Sequence, residues 1–302
     1  MLDASWFREQ CAGRRACIDQ CGPNARPEAI FVLALRQGPA APNRGSVVAP
    51  EAARFADAVA RIAELTDGPI WLCQDAGPAL AAEGGRIRIS RSGPRPADAL
   101  AAAHLRRHHS VADGGMVATI SCSDVLTIGR LFETGRYDPR RVVRIDGPLA
   151  ARPRAVSLRL GADLQEIARA EARSGTGAVR VLTGPPGAGL EAAWLGPDDQ
   201  VVTLDEACPL PHDGGATWLG RQAQARPRPI LATDRLDATL PRGIHAVPLM
   251  RALAVGDAET ALKLGVLDLL EEDVALLSTL CASGMDYRPL LRAVLDQLEA
   301  DA

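Results

Sequence analysis

The sequence predicts a mixed architecture: an α/β domain built on a parallel sheet, a smaller α+β unit of the β-grasp kind, and a closing bundle of helices. Three observations predict it. Between residues 29 and 132, short apolar runs alternate with stretches of helical period, as in a parallel sheet covered on both faces. Between 141 and 204, a strand and its hairpin mate are followed by a short helix and further strands. Beyond 248 the chain reads as short helices punctuated by glycine.

Ala29-Ile-Phe-Val-Leu-Ala-Leu35 is an apolar run after a Pro/Asn/Gly turn, the mark of a buried strand. Glu51 to Leu65 spaces Ala53, Phe55, Val59, Ile62 and Leu65 as a helix would, started by Pro50 and stopped at Thr66-Asp-Gly-Pro69. Ile70–Cys73 is the next strand, and Arg86–Ser90 alternates like a half-exposed one. Ala97 to His109 reads as one helix, Met116–Ser121 as a strand, and Ser123–Phe132 as a helix capped by Ser123 or Asp124. A composition break at Glu133–Pro139 closes this first domain, residues 1–138.

In the second domain, residues 139–205, Arg141–Pro148 enters a turn and Arg154–Leu160 is its hairpin mate. Gly161-Ala-Asp163 caps a helix from Leu164 to Arg173, and Val179–Leu182 and Gln200–Leu204 supply more strands. Residues 206–243, rich in Pro, Gly and Asp, read as a connector. Residues 244–302 hold four short helices: Pro248–Val255, Ala258–Leu264, Leu270–Leu280 and Arg288–Glu299.

Composition excludes several functions. With 47% hydrophobic residues the chain can bury a core, and 3% aromatic leaves little for stacking nucleic-acid bases. The net charge of −3 argues against a polyanion surface. No run approaches the ~20 apolar residues of a membrane span, and the first ten residues lack the features of a signal peptide; both point to a soluble, cytoplasmic protein. Seven scattered cysteines read as reduced thiols. Cys11, Cys17 and Cys21, spaced C-x5-C-x3-C, match neither a ferredoxin-type run nor a zinc site.

Several motifs tempt. Gly184-Pro-Pro-Gly-Ala-Gly-Leu-Glu191 has the glycines of a phosphate loop, but Leu190 and Glu191 stand where Lys and Ser/Thr are needed, so a hairpin turn is expected. No G-x-G-x-x-G follows a strand. His104 and His108 lie four apart on one helix, as metal ligands can, with His109, Arg106 and Arg107 around them. Five basic groups disfavour a cation, so a solvated helix face is expected, with an anion site as the functional alternative. Glu271, Glu272 and Asp273 suit a helix start rather than acid/base chemistry. No nucleophile arrangement is recognisable.

Two segments carry a resemblance. Leu249-Met-Arg-Ala-Leu-Ala-Val-Gly-Asp-Ala-Glu-Thr-Ala-Leu-Lys-Leu-Gly-Val-Leu-Asp-Leu-Leu-Glu-Glu-Asp-Val-Ala-Leu276 resembles a segment of the NqrA family, a component of the sodium-translocating NADH:quinone reductase. Asp124-Val-Leu-Thr-Ile-Gly-Arg-Leu-Phe-Glu-Thr-Gly-Arg136 resembles that family's Asp-Val-x-x-Ile-Gly-x-Leu-Phe-x-Thr-Gly-Arg. Arg141-Val-Val, Gly147-Pro148, Leu160-Gly-Ala162, Ala29–Val32, Trp6, Cys281 and Tyr287–Arg292 have counterparts in the same order.

The resemblance implies the fold shared by the flavin-binding component of complex I and the RnfC component of the RNF complex. That fold comprises a Rossmann-like domain, a soluble-ligand-binding (SLBB) β-grasp domain and a helical domain. The RNF helical domain ligates iron–sulfur clusters, whereas here only Cys281 lies in that part. The implied role is a cofactor-poor peripheral subunit on the cytoplasmic side of the inner membrane, docked to membrane subunits. NADH, flavin, iron–sulfur and quinone chemistry would then sit on other chains. Ubiquinone is the candidate ligand by the same resemblance, near Arg14 to Gly22, with Trp6, Arg14 and Arg15 as quinone-proximal residues.

Two departures from the family are expected to matter. The match begins inside the family pattern, so a lipoyl-like domain and the front of the Rossmann-like domain are expected to be missing. The Gly/His-rich stretch, here Pro96–His104, lacks its glycines. A stand-alone adaptor for another respiratory or photosynthetic assembly, or a small-ligand-binding protein, is the alternative, and an independent nucleotide-dependent dehydrogenase a third.

Overall fold

A computed structural model describes residues 27–36, 40–109, 117–175, 177–184, 189–206, 229–281, 283 and 285–301. The first sheet is four-stranded and wholly parallel, in the order β3-β2-β1-β4, with β1 Ala29–Ala34, β2 Ile70–Gln74, β3 Ile87–Arg91 and β4 Val117–Ser121. Because side chains alternate across a strand, β1 sorts its apolar run between two cores. Ile30, Val32 and Ala34 join Ile70 and Leu72 on one face, while Ala29 and Phe31 join Cys73 on the other. Both faces are buried, which explains the unbroken apolar run.

Three helices cover the first face, the first two of them consecutive in the chain. Helix α1 (Arg44–Val48) leads through a 3-10 turn into α2 (Ala52–Ile62), which buries Phe55, Ala58, Val59 and Ile62 at helical spacing. Packing continues on the opposite face with α3 (Ala101–His108). The single helix expected from Ala97 is broken: Pro96–Ala99 forms a 3-10 turn, and Leu100 is extended. Asp98 closes that turn, accepting the Arg95 backbone N–H at 3.2 Å and an Arg95 guanidinium N–H at 2.6 Å.

Helix α4 (Cys122–Thr134) packs beside α2, its N-cap being Ser121, whose Oγ accepts the Asp124 N–H at 3.1 Å. The expected caps, Ser123 and Asp124, lie inside the helix. The two helices meet at Gly129, where a Cβ would stand 2.6 Å from Arg54 Cγ and 3.2 Å from the Arg54 carbonyl.

The second sheet has the order β6-β5-β9-β7-β8, with β5 Arg140–Asp146, β6 Arg154–Arg159, β7 Val179–Thr183, β8 Leu190–Glu191 and β9 Val201–Glu206. β5 and β9 run parallel at its centre, and the pairs β5–β6, β9–β7 and β7–β8 are antiparallel. Helix α5 (Leu164–Glu171), capped by Asp163 as expected, buries Leu164 and Ala168 against Val143, Ile145, Val181, Val202 and Leu204. The glycine-rich stretch from Gly184 joins β7 to β8, a hairpin connection as expected.

The helical part comprises α6 (Asp234–Asp237), α7 (Ala246–Val255), α8 (Ala258–Lys263), α9 (Ala275–Leu280) and α10 (Tyr287–Ala300). Its core reaches back to Leu236 and Leu240, inside the stretch expected as a connector, and forward to Ala102 of α3. The helix expected from Leu270 opens instead as a 3-10 turn, Glu271–Val274, in which Asp273 accepts the Leu270 N–H at 2.8 Å. Among the described residues, no helix is long and apolar enough to cross a membrane.

Candidate functional site

Helix α3 brings together what the strands beneath it offer. Its fourth and eighth residues, His104 and His108, face β3, where Ser90 points to the same side. Ser90 Oγ lies 2.6 Å from His104 Nδ1 and 2.8 Å from His108 Nε2. A hydroxyl has one proton to give, so Ser90 donates to one ring and accepts an N–H from the other. Ser92 Oγ lies 3.4 Å from His104 Nε2, and Arg107 donates to the Arg91 carbonyl at 3.0 Å. His108 stacks on Trp71, the ring centroids 3.7 Å apart.

The expected solvated helix face is therefore overturned: His104 is fully buried. Burial holds its imidazole down to about 4, with Arg107 and His108 adding repulsion. Burial, then Arg107, also lowers His108. Both rings are neutral at pH 7, so the pair is a hydrogen-bonded network rather than a fixed positive charge. Burial likewise pushes up the Cys73 thiol on the neighbouring strand. Among the described residues, no group of three or more His, Cys, Asp and Glu side chains could hold a metal ion.

A second feature lies at the carboxyl ends of β1, β2 and β4, where the strand order reverses, the usual ligand crevice of such sheets. The Arg36 backbone N–H donates to Asp75 Oδ1 at 3.5 Å, and Arg44 Nε donates to the Pro42 carbonyl at 3.1 Å. Among the described residues, Arg44 Nη2 and Asp75 Oδ2 are buried there with no hydrogen-bond partner. Burial raises the Asp75 carboxyl, opposed by Arg36 and Arg44. Cys122, at the first turn of α4, is also buried, and its thiol is pushed up by burial against the pull of Arg44. An unmet donor and an unmet acceptor in one crevice suit a group that can both accept and give a proton.

Two arginines tie the parts together. Arg141 of β5, 2% exposed, pairs with Asp124 and donates to Thr127 Oγ1 at 3.0 Å, joining the second sheet to α4. Arg106 of α3 meets Asp268 at 2.6 Å, joining the first sheet to the helical part.

Trp6, Arg14 and Arg15, together with Cys11, Cys17, Cys21 and Cys208, lie outside the described residues. The sequence does not single out Ser90, Trp71, Arg44 or Asp75. Only Ser90 leaves a signal: it falls at a polar position at the end of an alternating strand, one helix away from the histidines.

The chain contains a particular kind of α/β domain. Residues 15–137 match the family model described as the NqrA second alpha/beta domain. Proteins similar to it over 92% of its length include the NqrA component of the Na(+)-translocating NADH-quinone reductase of Cellvibrio japonicus, 31% identical over 68% of that protein. The NqrA protein of Pseudomonas aeruginosa PAO1 is 32% identical, and that of Alcanivorax borkumensis 30%, each over 68% of its own length. The chain belongs to the NqrA family of the Na(+)-translocating NADH-quinone reductase. A chain of an NAD+-reducing [NiFe]-hydrogenase in the air-oxidized state overlaps 91% of this chain and 55% of its own, at TM-score 0.47 and 11% identity, too distant to carry an argument.

Proposed function

We propose that this chain is a peripheral subunit of a sodium-translocating NADH:quinone reductase-like complex, held on the cytoplasmic side and without a redox centre of its own. The observation that carries this reading is the collinear similarity to NqrA proteins over 92% of the chain. The chain's part would be assembly: residues 1–138 as a Rossmann-like platform, 139–205 as an SLBB-type β-grasp unit, and 244–302 as a helical docking end. The strand order of the second sheet supports the β-grasp assignment, because two hairpins joined by a crossover helix, with first and last strands parallel at the centre, are that fold's arrangement. NADH, flavin, iron–sulfur and quinone chemistry is assigned to other subunits. Trp6, Arg14 and Arg15 are assigned to the approach of ubiquinone by family resemblance.

The test is mass spectrometry of the native membrane complex captured with this chain. Copurification with multi-span membrane subunits and a flavoprotein is the expected result. Recovery free of any such subunit would overturn the reading in favour of a stand-alone adaptor.

A further inference from the structure

We propose that β6 is a docking edge: an extended, acidic segment of a partner protein adds to the second sheet there as a sixth strand. Among the described residues, β6 pairs only with β5 within the sheet. The Leu160 N–H donates to the Pro139 carbonyl at 3.0 Å, which sets the parity of the ladder. Leu158, Val156 and Arg154, opposite Arg141, Val143 and Ile145, therefore turn their backbone groups toward β5. Ala155, Ser157 and Arg159 turn their N–H groups outward.

Side chains along this edge also alternate. Val156 and Leu158 pack partly against the core under α5 and keep part of their surface open. The other face carries Ala155, Ser157 and Arg159, with Arg144 and Arg140 of β5 directly opposite the first and last. Arg140, Arg144 and Arg154 pair with Asp138, Asp146 and Glu171. Arg152 and Arg159 leave an excess of positive charge at this edge, on a chain whose net charge is −3.

Like charge at both ends of a short strand, with Pro153 before it, keeps two such edges apart. The same charge favours an acidic partner. Strand addition draws affinity from main-chain hydrogen bonds and specificity from alternate side chains. The segment that fits has period two: apolar residues beside Val156 and Leu158, and Asp or Glu beside Ser157 and Arg159. This surface is independent of which complex the chain serves.

The test uses the full chain and a capped eight-residue peptide alternating Val and Glu, with a Val/Lys peptide as control. Amide exchange at Ala155, Ser157 and Arg159 is expected to slow roughly tenfold or more at saturating Val/Glu peptide, with the effect weakening as salt rises. Ser157→Pro removes an outward N–H without touching the β5 ladder. It should weaken peptide binding about tenfold while the amides of Val156 and Leu158 stay protected. Arg159→Glu should shift preference toward the Val/Lys peptide. Unchanged exchange in the wild type, equal response to the Val/Lys peptide, or full binding by Ser157→Pro would each overturn the proposal. A concentration-dependent dimer abolished by Ser157→Pro would overturn it too, since the occupant would then be a second copy of this chain.

Discussion

Ser90→Ala is the sharpest probe of the histidine network. The substitution removes one hydroxyl that serves His104 Nδ1 at 2.6 Å and His108 Nε2 at 2.8 Å. His104 has no exposed surface, so its nitrogen cannot turn to water. An orphaned buried polar atom costs about 1–3 kcal/mol. His108 is half-buried and recovers part of its loss from solvent, so the total stays in that range. Urea unfolding at pH 7.5 should show a lower midpoint with an unchanged slope. In a His104→Leu background the same Ser90→Ala change should cost about 1 kcal/mol less, because the group that needs the hydroxyl is gone. A cost below about 0.5 kcal/mol, or the same cost in both backgrounds, would refute the network.

Four further outcomes are expected. His104 stays neutral down to about pH 4, whereas the unfolded chain's imidazole takes a proton near 6.5. The unfolded state therefore binds more protons between those values, and stability should be fully present above pH 6.5 and fall by up to about 3 kcal/mol toward pH 4. A His104→Leu variant with unchanged slope in that window would count against this. Gly129→Val would force α2 and α4 apart at a contact of 2.6 Å, lowering stability by about 1–3 kcal/mol in thermal unfolding. Arg106→Leu takes the charged partner from Asp268, whose side chain is 4% exposed, and should cost about 3 kcal/mol. Its effect should concentrate in faster amide exchange across Val266–Leu269 rather than across β1. The backbone of Gly265, at φ +89 and facing Arg106, favours glycine; Gly265→Ala is expected to lose about 1–2 kcal/mol in thermal unfolding.

Local pattern carried much of this protein. The apolar run at Ala29–Leu35 dictated a buried strand because both faces of a parallel sheet need apolar side chains, and period two then sorted Ile30 from Phe31. The spacing of Phe55, Val59 and Ile62 dictated the helix that covers one of those faces. The Asp163 cap, the hairpin after Gly184 and the helix stop at Gly256 follow from backbone chemistry within a few residues. Family membership was likewise legible, because it is written in residue order along the chain.

Tertiary structure decided the rest. Periodicity distinguishes one buried face from one wet face, but α3 is held on two sides, by β3 and Trp71 on one and by the helical part on the other. That is why His104, polar and flanked by arginines, is buried where a solvated face was expected. The break at Leu100 depends on Asp98 turning back to Arg95, which the helical pattern from Ala97 conceals. Arg106 finds Asp268 across 162 residues, and Arg141 finds Asp124 from a different sheet. Ion pairs of that range leave no local signal, since neither partner's neighbours record the other. Residue pattern along the chain sufficed to place most of the strands and helices; only packing settled which polar groups lose water, and therefore where the chemistry of this protein is set.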